Sequence, residues 1–303
     1  MFNPNPSSFQ EQFLHHLSKT VMWNSRSEPQ SWCFWWRFHP QNRHQTNSDV
    51  AKQIRQSLNQ GFHTRNMPAT LAAVIGKVQE TFAAEMAADG VNGQDLKRER
   101  GWSPKTPEDR YPWQVIYDWF WTCKFPREGW SWATKFAGCG VKELQMKPLK
   151  SSEFRRKLDL GDIPSRETSL EAKEPYYLEV TLPESGYLLL LNCSQDSSRE
   201  NPMTRICLSP SQAFQPNPRC QAHQPLRIPD NEGLVSSLRF TEVGEEYFLA
   251  IVTETPLALS WVRPDGEPRD IEVDEQRLGE IFRELGKQWQ GKLFYKRFQV
   301  HEG

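Results

Sequence analysis

The sequence lacks a long apolar run. No stretch approaches the ~18–20 residues that span a bilayer, so no membrane helix is expected. It lacks an excess of either charge: 37 Lys and Arg stand against 38 Asp and Glu, for a net charge of −1. That excludes a histone-like polycation and an acidic solvating tail. It lacks paired cysteines. The six, Cys33, Cys123, Cys139, Cys193, Cys207 and Cys220, include no C-x-x-C, and irregular spacing in a chain of 303 residues reads as free, mostly buried thiols. The opening MFNPNPSSFQEQ has neither a basic n-region nor an apolar h-region, so no secretory leader is expected and the expected location is cytoplasmic. G-x-S-x-G, a Walker loop and H-E-x-x-H are absent as well, so the chain is expected to be non-catalytic, with no cofactor. There is no repeat or low-complexity tract.

Aromatic residues are what the sequence has in plenty. It holds 12 Trp, 17 Phe and 7 Tyr, which compensate for a lean 37% hydrophobic content and a mean hydropathy of −0.72, because each large ring buries a large area. Ten of the Trp lie between Trp23 and Trp132; Trp261 and Trp289 lie beyond. Charge divides too, with +4 over residues 1–145 and −5 over 146–303. These shifts, with a charged and apolar-poor stretch at 147–175 carrying a short helix near 151–158, predict a first domain over 1–146, a linker over 147–175 and a second domain over 176–303.

The first domain reads as mainly helical. Ser8 and Glu11 form a capping-box pattern, followed by Phe9, Phe13, Leu14, Leu17 and Val21 on one face. A second helix is expected from Asn47 or Ser48, with Val50, Ile54 and Leu58, and a third from Pro68, with Leu71, Val74, Ile75, Val78, Phe82 and Met86. A fourth is expected over 112–123, where Trp119 shares a face with Val115 and Ile116. Residues 31–39, SWCFWWRFH, alternate as a buried strand. The second domain reads as short strands between Pro, Gly and Asn turns: 176–182, 186–192, 204–208, 226–228, 237–241, 247–253 and 258–262. A closing helix capped by Asp274 and a last strand over 293–300 follow. Residues 193–203 read as an inserted polar loop. The fold class is therefore α+β, a Trp-rich helical domain followed by an antiparallel β-sandwich with a closing helix.

The order GYLLLLN (186–192), ICLSPS (206–211), LRIPD (226–230) and GEEYFLAIVTETPLALSWV (244–262) resembles a cyanobacterial and bacterial domain of unknown function that often follows caspase-like peptidase or kinase domains. Over about 176–300 the resemblance implies a non-catalytic accessory sandwich with no functional residues to carry over, in a signalling or defence setting. The first half has no His-Gly followed by Gln-Ala-Cys-x-Gly, so the peptidase context does not transfer.

Four residue groups are candidates for a site. Trp113, Trp119, Trp121, Trp130 and Trp132 crowd into twenty residues. Trp and Arg are enriched at interface hot spots, so Trp121, on the face opposite Trp119, and Trp130 and Trp132, in a loop after Pro126 and Gly129, are expected to dock a protein partner with Lys124 and Arg127. The alternative is that all these rings are core. Arg37, Arg43, Arg55 and Arg65, interleaved with aromatics and histidines and with Asp49 as the only acid in 32–65, are the pattern that a nucleic-acid strand needs. Against it, these residues are a solvated face over a packed core. Cys193, Cys207, Cys220 and His223, or Cys33, His39, His44 and His63, contain the residue types of a zinc site without its paired spacing. Asp162 with Glu171 and Lys173 imitates a nuclease's metal-binding carboxylates and charge-stabilising lysine, but on an expected linker rather than on adjacent strands.

Overall fold

A computed structural model of the chain describes residues 8–23, 27–58, 61–97, 106, 109–139, 142–149, 168–196, 204–262, 267, 270–288 and 291–302. By internal packing the chain divides into two units. The first is Met1–Gly129 with Phe282–Trp289, and the second is Trp130–Ile281 with Gln290–Gly303. The division therefore falls at Gly129/Trp130, where the sequence reading put 146/147. Much of the expected linker, with its short helix and Asp162, lies outside the described residues, while its two ends belong to strands.

The first unit is built on α1 (Phe9–Val21), α2 (Glu28–Phe38), α3 (Asn47–Ser57), α4 (Met67–Ala88) and α5 (Pro112–Trp119). A π-helical turn, Phe120–Lys124, then leads into α6 (Phe125–Phe136). The capping box of α1 is present: the Glu11 N–H donates to Ser8 Oγ at 3.2 Å and the Ser8 N–H to Glu11 Oε2 at 3.1 Å. Thr46 Oγ1 accepts the Asp49 N–H to cap α3. Residues 31–39 are the main correction, because they form most of α2 and not a strand. Six of the nine residues there are apolar, with 32–36 unbroken, so alternation could not separate the two periods. The spacing Ser31, Phe34, Trp35, Phe38 is i, i+3, i+4, i+7, and all four are buried. Pro29 sits in the first turn, where its missing N–H costs nothing.

Rings build this unit's core. Phe34 and Phe38 stand 5.1 Å apart and Phe38 meets Phe120 edge-on at 5.2 Å. Phe13 and Phe125 pack at 5.0 Å, and Phe82 and Trp119 at 5.6 Å. Such pairs contribute about 0.5–1.5 kcal/mol each beyond area burial, which is how a chain short of aliphatic residues fills an interior. Segment 282–289 adds Phe282 and Leu285, fully buried. Phe282 lies 6.3 Å from the Phe9 ring, and Gln10 Nε2 donates to Leu285 O at 2.9 Å. A Cβ on Gly129 would stand 2.2 Å from the Phe282 ring, so only glycine fits at that contact.

The second unit is the expected sandwich. Its strands are β1 (Gly138–Cys139), β2 (Leu144–Pro148), β3 (Ser169–Glu171), β4 (Pro175–Thr181), β5 (Gly186–Asp196), β6 (Thr204–Ser209), β7 (Arg219–Cys220), β8 (Pro225–Ile228), β9 (Leu238–Arg239), β10 (Gly244–Thr253) and β11 (Gly291–His301). One sheet runs β1-β11-β10-β5-β6, with β3 also on β11 and β7 on β5. The other runs β2-β4-β8, with β9 on β4. All pairings are antiparallel except those of β1 and β3 with β11. Leu178 and Val180 of the small sheet and Leu188, Leu190, Phe248, Ala250 and Phe298 of the large one share one core. The opposite face of the large sheet is buried as well, at Leu189, Leu191, Leu249 and Ile251. A strand covered on both faces reads as an unbroken apolar run, which accounts for GYLLLLN.

Helix α7 (Glu275–Lys287) begins where Asp274 Oδ1 accepts the Arg277 N–H at 2.8 Å. It is followed by β11, and its residues from Phe282 onward count with the first unit. Two other expectations are corrected. Residues 193–196 are not a loop: β5 continues to Asp196, paired with β10 as far as Gly244. Its polar side chains are accommodated because Glu246 accepts from Asn192 Nδ2 at 2.7 Å and from Ser194 Oγ at 2.8 Å. Residues 258–262 are not a strand. The Leu259 N–H donates to Leu257 O and the Val262 N–H to Leu259 O, while the Ser260 N–H donates to Glu280 Oε1, and the segment's alternation serves a cavity wall instead.

Candidate functional site

The residues expected to dock a partner are mostly interior. Trp121 is 3% exposed and Trp132 7%. The α5–α6 run is covered on more than one face: Phe82 and Phe120 pack on Trp119, while Phe13 and Phe125 pack on Trp121, whose Nε1–H donates to Phe38 O at 3.1 Å. The opposite-face argument put Trp121 toward solvent, but that side is covered by Phe13, and the exposed positions of the run are Thr122, Arg127, Ser131 and Lys135. Trp130 and Trp132 are helical, not in a loop. Pro126 enters α6 in its first turn, where it needs no donor, and the π turn just before it absorbs the irregularity. Trp130 is half-buried, with the Arg205 guanidinium 5.0 Å over its ring. Lys124 is buried, donating to Glu85 at 2.8 Å and Glu128 at 2.7 Å. Arg127 pairs with Asp89, which also accepts the Trp119 Nε1–H. Both cations of the expected docking set are thus held by carboxylates of their own unit.

The basic segment is split in the same way. Arg37 is fully buried. Its Nη1 donates to Gln45 O at 3.0 Å and Asn47 Oδ1 at 3.1 Å, its Nη2 donates to Asn42 O, and its guanidinium lies 3.7 Å over Trp113. Burial pulls its pKa down to about 10. It secures the loop between α2 and α3 and cannot touch a phosphate. Arg43 shares Asp118 with Arg110. Arg55 and Arg65 are exposed on separate elements, α3 and a 3₁₀ turn at Thr64–Asn66. The four do not form one surface.

Neither metal set assembles: among the described residues no group of three or more His, Cys, Asp or Glu is placed to hold an ion. Cys207 Sγ lies 3.4 Å from Ser209 O, Cys220 Sγ 3.4 Å from Gly186 O, and Cys33 Sγ 3.9 Å from Met67 Sδ. His39 Nε2 bonds Glu11 at 3.0 Å. Burial pushes the thiols of Cys33, Cys193 and Cys207 up to about 12, so they are protonated and poor nucleophiles. Among the described residues no helix is long and apolar enough to cross a membrane.

The sequence reading passed over the strongest site, a mainly apolar cavity of about 340 Å³ within the second unit. One wall is the start of β5, with Tyr187 and Leu189, against the end of β6, at Cys207. A second is the loop carrying Pro210, Pro216 and Pro218. Its shape is set by reciprocal backbone bonds between Ser211 and Gln215 (2.8 and 2.9 Å) and by Leu188 N–H donating to Pro218 O. The third is the segment from Pro256 through Leu257 and Leu259 to Trp261, closed by Ile271, whose carbonyl accepts the Cys207 N–H at 2.7 Å. Trp261 is held in place by Arg277, 5.0 Å over its ring, and Arg277 is itself bonded to Asp270 at 2.6 Å and Glu272 O at 2.7 Å. The Trp261 Nε1–H is buried and has no hydrogen-bond partner among the described residues. The available signal was one Trp in a Trp-poor half, shortly after Pro256. Read as strand alternation, it pointed to a core.

No family model matches the chain, and no curated protein matches it. Among solved structures it is similar to the Pseudomonas fluorescens alkylpurine DNA glycosylase AlkC bound to DNA containing an abasic site analog. The match covers 97% of this chain and 67% of that one at 10% identity, and a TM-score of 0.19 carries no argument about fold or function.

Proposed function

We propose that the protein is a non-catalytic binding protein whose sandwich unit receives a small ligand. The observation that carries this reading is the cavity: about 340 Å³, mainly apolar, with a few polar groups in its walls, within the roughly 300–1,000 Å³ of small-molecule sites. The raised thiols of Cys33, Cys193 and Cys207 support binding over thiol chemistry. Docking of a protein is the second reading, and Trp23, 83% exposed just past α1, is the observation that favours it. The test is a thermal-shift screen of the full chain against small neutral aromatic and aliphatic compounds. A ligand at about 100 times its Kd stabilises by about 2.7 kcal/mol. The shift should vanish in a cavity-filling Leu257→Trp variant with native circular dichroism. A variant that responds as the wild type does would place the ligand elsewhere.

A further inference from the structure

We infer that the cavity selects an uncharged, apolar small molecule carrying one hydrogen-bond acceptor, which the Trp261 Nε1–H engages, and that it rejects anions; this rests on the binding reading above. Charge is the first argument. Among the described residues no Lys, Arg or His lines the cavity, whereas Glu267 and Asp270 do. The nearby cation, Arg277, is already bonded to Asp270 and the Glu272 carbonyl. An anion entering here would lose its hydration and meet carboxylates and apolar walls.

Hydrogen-bond inventory is the second argument. Pro210, Pro216, Pro218 and Pro256 contribute no N–H to the walls. The Thr253 hydroxyl, another lining group, donates its proton to Thr255 O at 2.7 Å. The Trp261 indole N–H is a buried donor without an acceptor among the described residues, an arrangement that is costly unless something fills it. Its ring is flanked by Arg277, and a ligand carbonyl that reached the N–H would satisfy it. Size is the third argument, since a cavity near the lower end of the small-molecule range suits a fused-ring body rather than a folded segment.

The experiment titrates the full chain with three probes: prodan, a neutral naphthyl ketone; 2-dimethylaminonaphthalene, which lacks the ketone; and 1-anilinonaphthalene-8-sulfonate, an anion. Prodan should bind saturably at one site. The ketone-free probe should bind roughly 2- to 12-fold more weakly, the worth of one hydrogen bond, and the sulfonate more weakly still. Trp261→Phe should weaken prodan by that same factor and leave the ketone-free probe unchanged. The wild-type ranking alone tests the inference should that variant misfold. A sulfonate that binds as tightly as prodan, equal binding of the two neutral probes, or a Trp261→Phe variant that keeps the preference for the ketone overturns the ligand class and leaves the cavity reading intact. No saturable binding of any probe, or binding that survives Leu257→Trp, overturns both.

Discussion

Replacing Trp121 with alanine tests the interior assignment of the aromatic cluster most directly. The ring is 3% exposed and stands 5.8 Å from Phe13, 5.3 Å from Phe125 and 6.4 Å from Tyr117. Its Nε1–H also serves the carbonyl of Phe38, at the end of α2. Truncating a buried Trp costs about 3–5 kcal/mol, lost transfer free energy plus residual cavity. Loss of the indole donor to that carbonyl places the expected value in the upper half of the range. Against a total stability of about 5–15 kcal/mol, such a loss is large enough to unfold part of the population at room temperature. Trp121→Phe keeps a ring in the site and loses the hydrogen bond, so it should fall well short of the alanine cost. Trp23→Ala, at an 83% exposed position, should stay within about 0.5 kcal/mol of the wild type and serves as the control. Urea unfolding followed by far-UV circular dichroism separates the three. If Trp121→Ala unfolds within about 0.5 kcal/mol of the wild type, the ring is not part of the core and the docking role returns.

Two further outcomes follow from the same packing and from one buried acid. Gly129→Ala forces a Cβ to 2.2 Å from the Phe282 ring and should cost about 1–3 kcal/mol. Gly76→Ala, within α4 and with nothing inside 4 Å of the added carbon, should stabilise by about 0.5–1 kcal/mol. Equal melting of the two variants would contradict the contact. Burial raises the Glu246 carboxyl above its ordinary 4.5, so the folded state holds that proton more tightly than the unfolded chain does. The associated stability is complete below pH 4.5 and is lost as pH rises through the raised folded value. Glu246→Gln should therefore gain on the wild type between about pH 4 and about pH 7 in urea midpoints, and a gap that stays constant across that range would refute the assignment.

Much of the fold was legible because period and punctuation agreed. Ser8 with Glu11, Asn47 at the start of α3, Pro68 at the start of α4 and Asp274 before α7 all mark helix starts. The alternation of 176–182 and the unbroken 186–192 identify a half-covered strand and a fully covered one. Residues 31–39 failed because the apolar run 32–36 satisfies both periods, and the packing of Phe34 and Phe38 against Phe120 decides between them. Trp121 failed because a helical wheel shows faces and not neighbours: Phe13, more than a hundred positions away, covers it. The cavity was least legible of all. Its walls come from the start of β5, the end of β6, the 210–218 and 256–262 segments, and Glu267, Asp270 and Ile271, and no local pattern announces a concavity assembled from distant pieces.

Strand β11 has a consequence for how the protein is made. One of its edges takes all ten residues of β10, and its other edge takes β1 and β3, laid down well over a hundred residues earlier. A ribosome that has reached residue 290 has already released the apolar β10, whose β11-facing edge is then an open row of backbone donors and acceptors. Those groups are satisfied only when residues 291–301 arrive. Pairings of such long sequence separation are slow to form. The nascent second unit therefore passes through an interval in which its most apolar sheet offers an edge to any neighbouring chain, and crowded synthesis of many copies is the condition under which that edge finds the wrong strand.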